Sequence, residues 1–261
     1  MLANLLALEK KTRLAADAKS TVVVCQAILT ACHQCGDFAA LNEQLSILTK
    51  RRAQLQKAVE AVIQQGAKIA KELDVSTPAG EQRQRDLIET LRTVSAGKMF
   101  VELERAQLTQ ILAAQEEKAG RVREAADILQ EIQVETIGSM DVQEKANYLL
   151  EQVRLVLAKK DFVRTEIIAK KLAVKQFSEP GAKEDPKWMA IKIKYYQLMI
   201  EYHKHYAHYY EIAKAYREVG AWDEWHTAER GVAPNGRRFF GRLDVVSADG
   251  PIAVTANLVH P

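Results

Sequence analysis

The sequence predicts an all-α fold, a solenoid of stacked antiparallel helix pairs. Three observations carry this: apolar residues recur every three or four positions, turn signals break the chain at intervals, and three similar segments lie about 40 residues, or a double of that, apart.

The periodicity dominates up to about residue 218. Val122, Ala125, Ala126, Leu129 and Ile132 fall on one stripe of a helix. Leu87, Ile88, Leu91 and Val94 repeat the stripe, as do Ala146, Leu149, Leu150, Val153 and Val156. A stripe of this width marks a half-buried helix.

The breakers come next. Gly36 suits the left-handed residue after a helix, and Asp37 suits the N-cap of the next, where a carboxylate accepts from free backbone N–H groups. Similar punctuation occurs at Thr77-Pro78, Gly120, Lys160-Asp161 and Asp185-Pro186, with proline fitted to a first helical position in two of them.

The segments GDFAALNEQLSIL from Gly36, GRVREAADILQEI from Gly120 and KDFVRTEIIAKKL from Lys160 share one plan. Each opens with a turn and continues as a helix ending in Leu or Ile. A single hairpin cannot bury its apolar face alone, so TPR-like repeats of this kind stack into a curved rod with a long contact surface. Residues 1–218 therefore read as a solenoid arm, with FSEPGAKEDP (177–186) as its candidate hinge and DVSTPAG as a shorter connector. Residues 219–261 differ in kind. They are rich in Gly and Pro, hold strand-like runs in LDVV and IAVTANLV, and are expected to form an irregular tail of a composition open to disorder.

Composition narrows the function. With 37 basic and 34 acidic residues among 261, the charge of +3 creates no strong field toward nucleic acid or an anionic membrane. No run approaches the roughly 18 apolar residues that cross a bilayer, and the N-terminus does not read as a signal peptide. The expected location is the cytoplasm and nucleus. The three cysteines, Cys25, Cys32 and Cys35, sit in one short segment and cannot brace the whole fold, which fits a reducing compartment.

The candidate chemistry is sparse. Cys32 and Cys35 have the spacing of half a zinc site, but no second pair follows, and Cys25 and Cys32 lie seven apart on one helical face, as core residues do. His203, His205 and His208 could offer two imidazoles at helical spacing, yet no HExxH or carboxylate pair completes a catalytic site. Trp188 and the tyrosines at 195, 196, 202, 206, 209, 210 and 216 suit either solenoid cores or partner surfaces, with core packing favoured for each. Lys50, Arg51, Arg52 and Lys57 read as the solvated face of a helix rather than an RNA contact. No phosphate loop or nucleophile motif occurs. The expectation is a non-enzyme with no catalytic residue, cofactor or metal ligand.

Several stretches in order, LEKKTRLAAD, LNEQLSILTKRRAQLQKAV, LIETLRTVSAGKMFVELERAQLTQIL, EAADILQEIQVETIGSM, LLEQVRLVLAKKDFVRTEIIAKKL and IKYYQLMIEYHKH, resemble the PCI-family non-ATPase subunits of the 26S proteasome's regulatory lid. The resemblance runs from about Leu5 to Tyr216. It implies a helical arm leading into a PCI module and a terminal helix, a non-catalytic scaffold role in ubiquitin-dependent degradation, and as partners the other lid subunits, the lid deubiquitylase and the ATPase ring. Nucleic acid, membrane and small-molecule partners are not expected. The chain departs from the family pattern after about Tyr216, where nothing resembles a PCI module, and it starts later than family members do. The related scaffolds of the signalosome and of a translation initiation complex share the architecture, but QVETIGSM and SAGKMFVELERAQLT favour the proteasome. A small helical metalloenzyme built on the histidines is the reading from a different class.

Overall fold

In the computed structural model the described residues are 2–179, 181–182, 185–229, 245–247 and 250–252. An opening helix α1 (Leu2–Leu14) is followed by five helical hairpins: α2 (Ala18–Gln34) with α3 (Phe38–Lys50), α4 (Gln56–Glu72) with α5 (Pro78–Ser95), α6 (Glu102–Lys118) with α7 (Val122–Gln130), α8 (Val142–Ala158) with α9 (Phe162–Ala169), and α10 (Pro186–His205) with α11 (Tyr209–Glu229). Successive hairpins begin about 40 residues apart, as the repeat spacing predicts. The segments that carry the sequence repeat are the turns into α3, α7 and α9, so Phe38, Val122 and Phe162 hold equivalent places at the start of each second helix.

Local chemistry sets the turns. Ala16, Gly36, Gly120, Lys160 and Ala207 all adopt positive φ, at 54°, 70°, 81°, 63° and 53°. In each turn this residue's N–H bonds the carbonyl three back and the next N–H bonds the carbonyl five back, as in Gly36 to His33 (2.9 Å) and Asp37 to Cys32 (3.1 Å). That two-bond Schellman cap absorbs the orphan carbonyls of the ending helix. Where Asp follows, its carboxylate starts the next helix: Asp17, Asp37 and Asp161 accept from the N–H groups of Ser20 (3.2 Å), Ala40 (2.9 Å) and Arg164 (3.1 Å). Thr77 and Asp185 cap α5 and α10 in the same way, each ahead of a proline in the first turn. The sequence reading missed the turns at Ala16 and Ala207.

Hairpins stack through like helices, α2 on α4, α4 on α6, α3 on α5 and α8 on α10. The predicted stripes are the buried ones, and Leu87, Ile88, Leu91, Val94, Ala125, Ala126, Leu129, Leu149, Leu150, Val153 and Val156 all lie in the core. Two large apolar clusters result and meet at α6, and a small third one, Ile200, Ile212 and Ala215, joins α10 to α11. Leu108 and Leu112 join the cluster built on α2 to α5, while Ala106 and Ala113 join the one built on α7 to α10. With Ala125 and Ala126 these alanines let neighbouring helices approach closely.

Between residues 2 and 229 every described element is an α-helix or a short 3-10 turn. The last helix does not stop at the boundary expected at 218. AWDEWHTAE has no breaker, and α11 carries on to Glu229, ahead of Gly231 and Pro234. Of the expected irregular tail, Val245–Ser247 pairs antiparallel with Gly250–Ile252, which takes in the end of LDVV and only the first residue of IAVTANLV. The expectation for the rest of 230–261 falls outside the described residues.

Candidate interaction surface

A rod of repeats works through its faces, so polar side chains spanning neighbouring hairpins define its rigid parts. Gln64 and Lys71 of α4 donate to Glu104 and Gln107 of α6, at 3.0 and 2.7 Å. Arg154 of α8 grips Glu117 of α6 through two nitrogens, at 2.6 and 2.5 Å, and also holds Glu151. Lys194 of α10 donates to Glu151 at 3.1 Å. Glu117, Arg154, Glu151 and Lys194 thus form one chain of ion pairs over three first helices. The hydrogen bond from Arg154 holds the Glu117 carboxyl below its ordinary range, against a smaller opposing effect of burial. For Glu151, burial pushes up but bonds from Arg154 and Lys194 prevail and hold it low.

The last two hairpins carry the aromatic residues. Phe177 is buried against Trp188, Tyr195 and Tyr196, with ring centroids 5.7 to 6.5 Å apart. Tyr202 is buried and donates its hydroxyl to Glu166 at 3.0 Å. Core packing fails for the remaining four tyrosines: Tyr206, Tyr209, Tyr210 and Tyr216 are 42, 50, 78 and 43% exposed. The inner face of α11 is taken by Ile212 and Ala215, and Tyr206 lies beyond the end of α10, so these rings are left at the surface. Val163 and Ile167 of α9 are exposed as well.

The histidines separate. His205 stacks on Phe162 of α9, with centroids 3.6 Å apart and planes 6° apart. The Schellman turn at Ala207 instead brings His203 and His208 together, Nδ1 to Nδ1 at 3.4 Å. They edge a groove of about 300 Å³ lined by Glu166, Lys170, Tyr195, Met199 and Tyr202. Burial first, then His208, lowers the His203 pKa against the pull of Glu211 and Glu166. Among the described residues no group of three or more His, Cys, Asp or Glu side chains lies together as a metal ligand set.

Cys25 and Cys32 are buried in the first cluster and Cys35 is exposed. The basic segment is not a helix face. Arg51 and Arg52 lie in the turn between α3 and α4, and Arg51 is drawn inward to an ion pair with Glu9. Glu9 is fully buried, and Arg13 (3.0 Å) and Gln54 (3.3 Å) complete its shell. The sequence reading missed this residue, although Glu9 continues the stripe of Leu2, Leu5 and Leu6, where a lone charge signals a buried pair.

A stack of two-helix repeats joined by one-repeat polar contacts defines a helical scaffold of the solenoid class. Residues 1–226 match the family described as PSMD12/CSN4, N-terminal, and the chain belongs to that family. Relatives include 26S proteasome non-ATPase regulatory subunit 12 homolog B of Arabidopsis thaliana, 39% identical over 229 residues, covering 81% of this chain and 50% of that protein. The 26S proteasome non-ATPase regulatory subunit 12 of Dictyostelium discoideum is 38% identical over 83% of this chain and 46% of its own length. The 26S proteasome regulatory subunit RPN5 of Saccharomyces cerevisiae is 37% identical, with the same two shares. The chain spans about half the length of the curated relatives it matches. Among solved structures, BtubC from P. vanneervenii overlays with a TM-score of 0.48 at 16% identity, covering 91% of this chain and 94% of that one.

Proposed function

We propose that this chain is a non-catalytic scaffold arm of the 26S proteasome's regulatory lid, acting in ubiquitin-dependent protein degradation by docking neighbouring subunits. The family match over residues 1–226, with relatives named as 26S proteasome regulatory subunits, carries the reading. The stacked hairpins and the ion-pair chain from Glu117 to Lys194 support it, since a scaffold must hold its faces in a fixed relation. Other lid subunits, the lid deubiquitylase and the ATPase ring are the partners, and cytoplasm and nucleus the places. Among the described residues no helix is long and apolar enough to cross a membrane. The polar connector 177–186 remains the arm's bending point in this reading.

Proximity labelling from the tagged chain in cells tests this, beside a full-length relative. Lid subunits enriched over a tagged-solvent control support the scaffold, at lower recovery than the relative, because joint engagement by several modules raises avidity. The signalosome is the second reading, favoured by the family description that covers CSN4 together with PSMD12. Enrichment of signalosome subunits without lid subunits would move the chain there, and enrichment of neither would end both readings.

A further inference from the structure

The turn at Ala207 does more than reverse the chain. It closes with His208 N–H on the His203 carbonyl at 3.1 Å, which sets the two side chains five residues apart on one side of the turn. Helical spacing alone pairs His203 neither with His205, which is held flat against Phe162, nor with any other imidazole. The tight turn pairs it with His208, ring nitrogen to ring nitrogen at 3.4 Å.

That separation has a chemical meaning. A zinc ion binds imidazole nitrogen at about 2.0 to 2.1 Å, and two such bonds at a tetrahedral angle leave the nitrogens about 3.3 to 3.4 Å apart. Glu166 lines the same groove, paired with Lys170 at 2.6 Å, and the charges of Glu166 and Glu211 act on His203. The first shell has room for water, since His208 lies at the surface and the groove is open beside it.

We propose that His203 and His208 form a two-imidazole chelate for a borderline divalent cation of the zinc class, with water completing its coordination. This is a binding site and not a catalytic one. The bound ion clasps the end of α10 to the start of α11 and so stiffens the hairpin that carries the exposed tyrosines. Zinc and cobalt fit the wide bite better than a square-planar copper site, whose adjacent ligands stand closer together.

The test is calorimetric titration of the full chain with Zn²⁺ at pH 7.5, in a Cys35→Ser background so that the exposed thiol does not compete. One ion per chain is expected, with affinity falling as the pH is lowered, because protons compete with the metal for imidazole nitrogen. Loss of an outer-shell partner alone weakens metal sites by about 10–100-fold, so His203→Ala and His208→Ala should each weaken binding by at least that. His205→Ala leaves it unchanged. Thermal unfolding of each variant without metal checks that the fold persists, and Co²⁺ spectra report whether imidazole nitrogen enters the shell. Binding that survives in both the His203 and His208 variants, or no binding to the parent chain, overturns the proposal and leaves the pair as a hydrogen bond between two rings.

Discussion

Arg154 binds Glu117 through both terminal nitrogens of its guanidinium, at 2.6 and 2.5 Å, joining α8 to α6 across 37 residues of sequence. Both side chains are one third exposed. Solvent therefore screens the pair, and the fork geometry sets its worth nearer the upper end for accessible ion pairs. A double-mutant cycle with Arg154→Met and Glu117→Gln should return a coupling of about 1 kcal/mol in urea unfolding. A coupling indistinguishable from zero would show that the two helices are held by apolar contacts alone.

The same pair predicts a pH dependence. The folded Glu117 carboxyl titrates below its ordinary value of 4.5 because Arg154 bonds its charged form. Its contribution is therefore complete above the unfolded value and is lost as pH falls through the depressed folded one. Urea midpoints of the wild type and Glu117→Gln should differ at pH 7 and converge as the pH falls through the depressed folded value. Glu151 and Glu116 are held low as well, so acid should weaken the wild type more steeply than any single variant.

Gly66 sits where α4 crosses α5. A methyl group there would lie 2.7 Å from Leu91 Cδ2 and 3.1 Å from Leu45 Cδ2, both fully buried leucines whose ends must shift to admit it. Gly66→Ala should destabilise by about 1 to 3 kcal/mol of overpacking, less up to about 1 kcal/mol gained in helix propensity. A raised melting temperature would show that the leucines can shift.

Ala126 is 1% exposed between α6 and α8, on the face shared with Ala125. Ala126→Leu should cost about 1 to 3 kcal/mol, read as a fall in melting temperature, because a close helix approach has no volume for the larger chain. An unchanged transition would show that the neighbouring helices can move apart to admit the larger side chain.

Glu9 anchors α1. Its carboxylate is fully buried against Arg13 and Arg51, whose side chains are 11 and 22% exposed, so Glu9→Ala leaves two partly solvated cations without their partner and should cost about 1 to 3 kcal/mol. Glu9→Leu with Arg51→Met should recover part of that loss. Burial, then the charge of Glu9, pushes the nearby Cys25 thiol up to about 12. Alkylation of the native chain should therefore modify Cys35 alone, with Cys25 and Cys32 reacting only after unfolding.

Sequence alone determined what local rules govern. Stripes of apolar residues marked which helix faces are buried, and Gly-Asp, Lys-Asp, Thr-Pro and Asp-Pro pairs marked turns and caps, because capping is settled within five residues of chain. The repeat register followed from those turns. The buried fate of Cys25 and Cys32 followed from their stripe. The tertiary structure decided everything that depends on which helix lies beside which. Tyr202 and Tyr206 are alike to any local rule, yet only Tyr202 has a neighbouring helix that offers Glu166. Arg51 is one cation among several in its segment until α1 brings Glu9 against it. His203 meets His208 rather than His205 because a left-handed alanine turns the chain at that point, and alanine carries no sign of that conformation in the sequence.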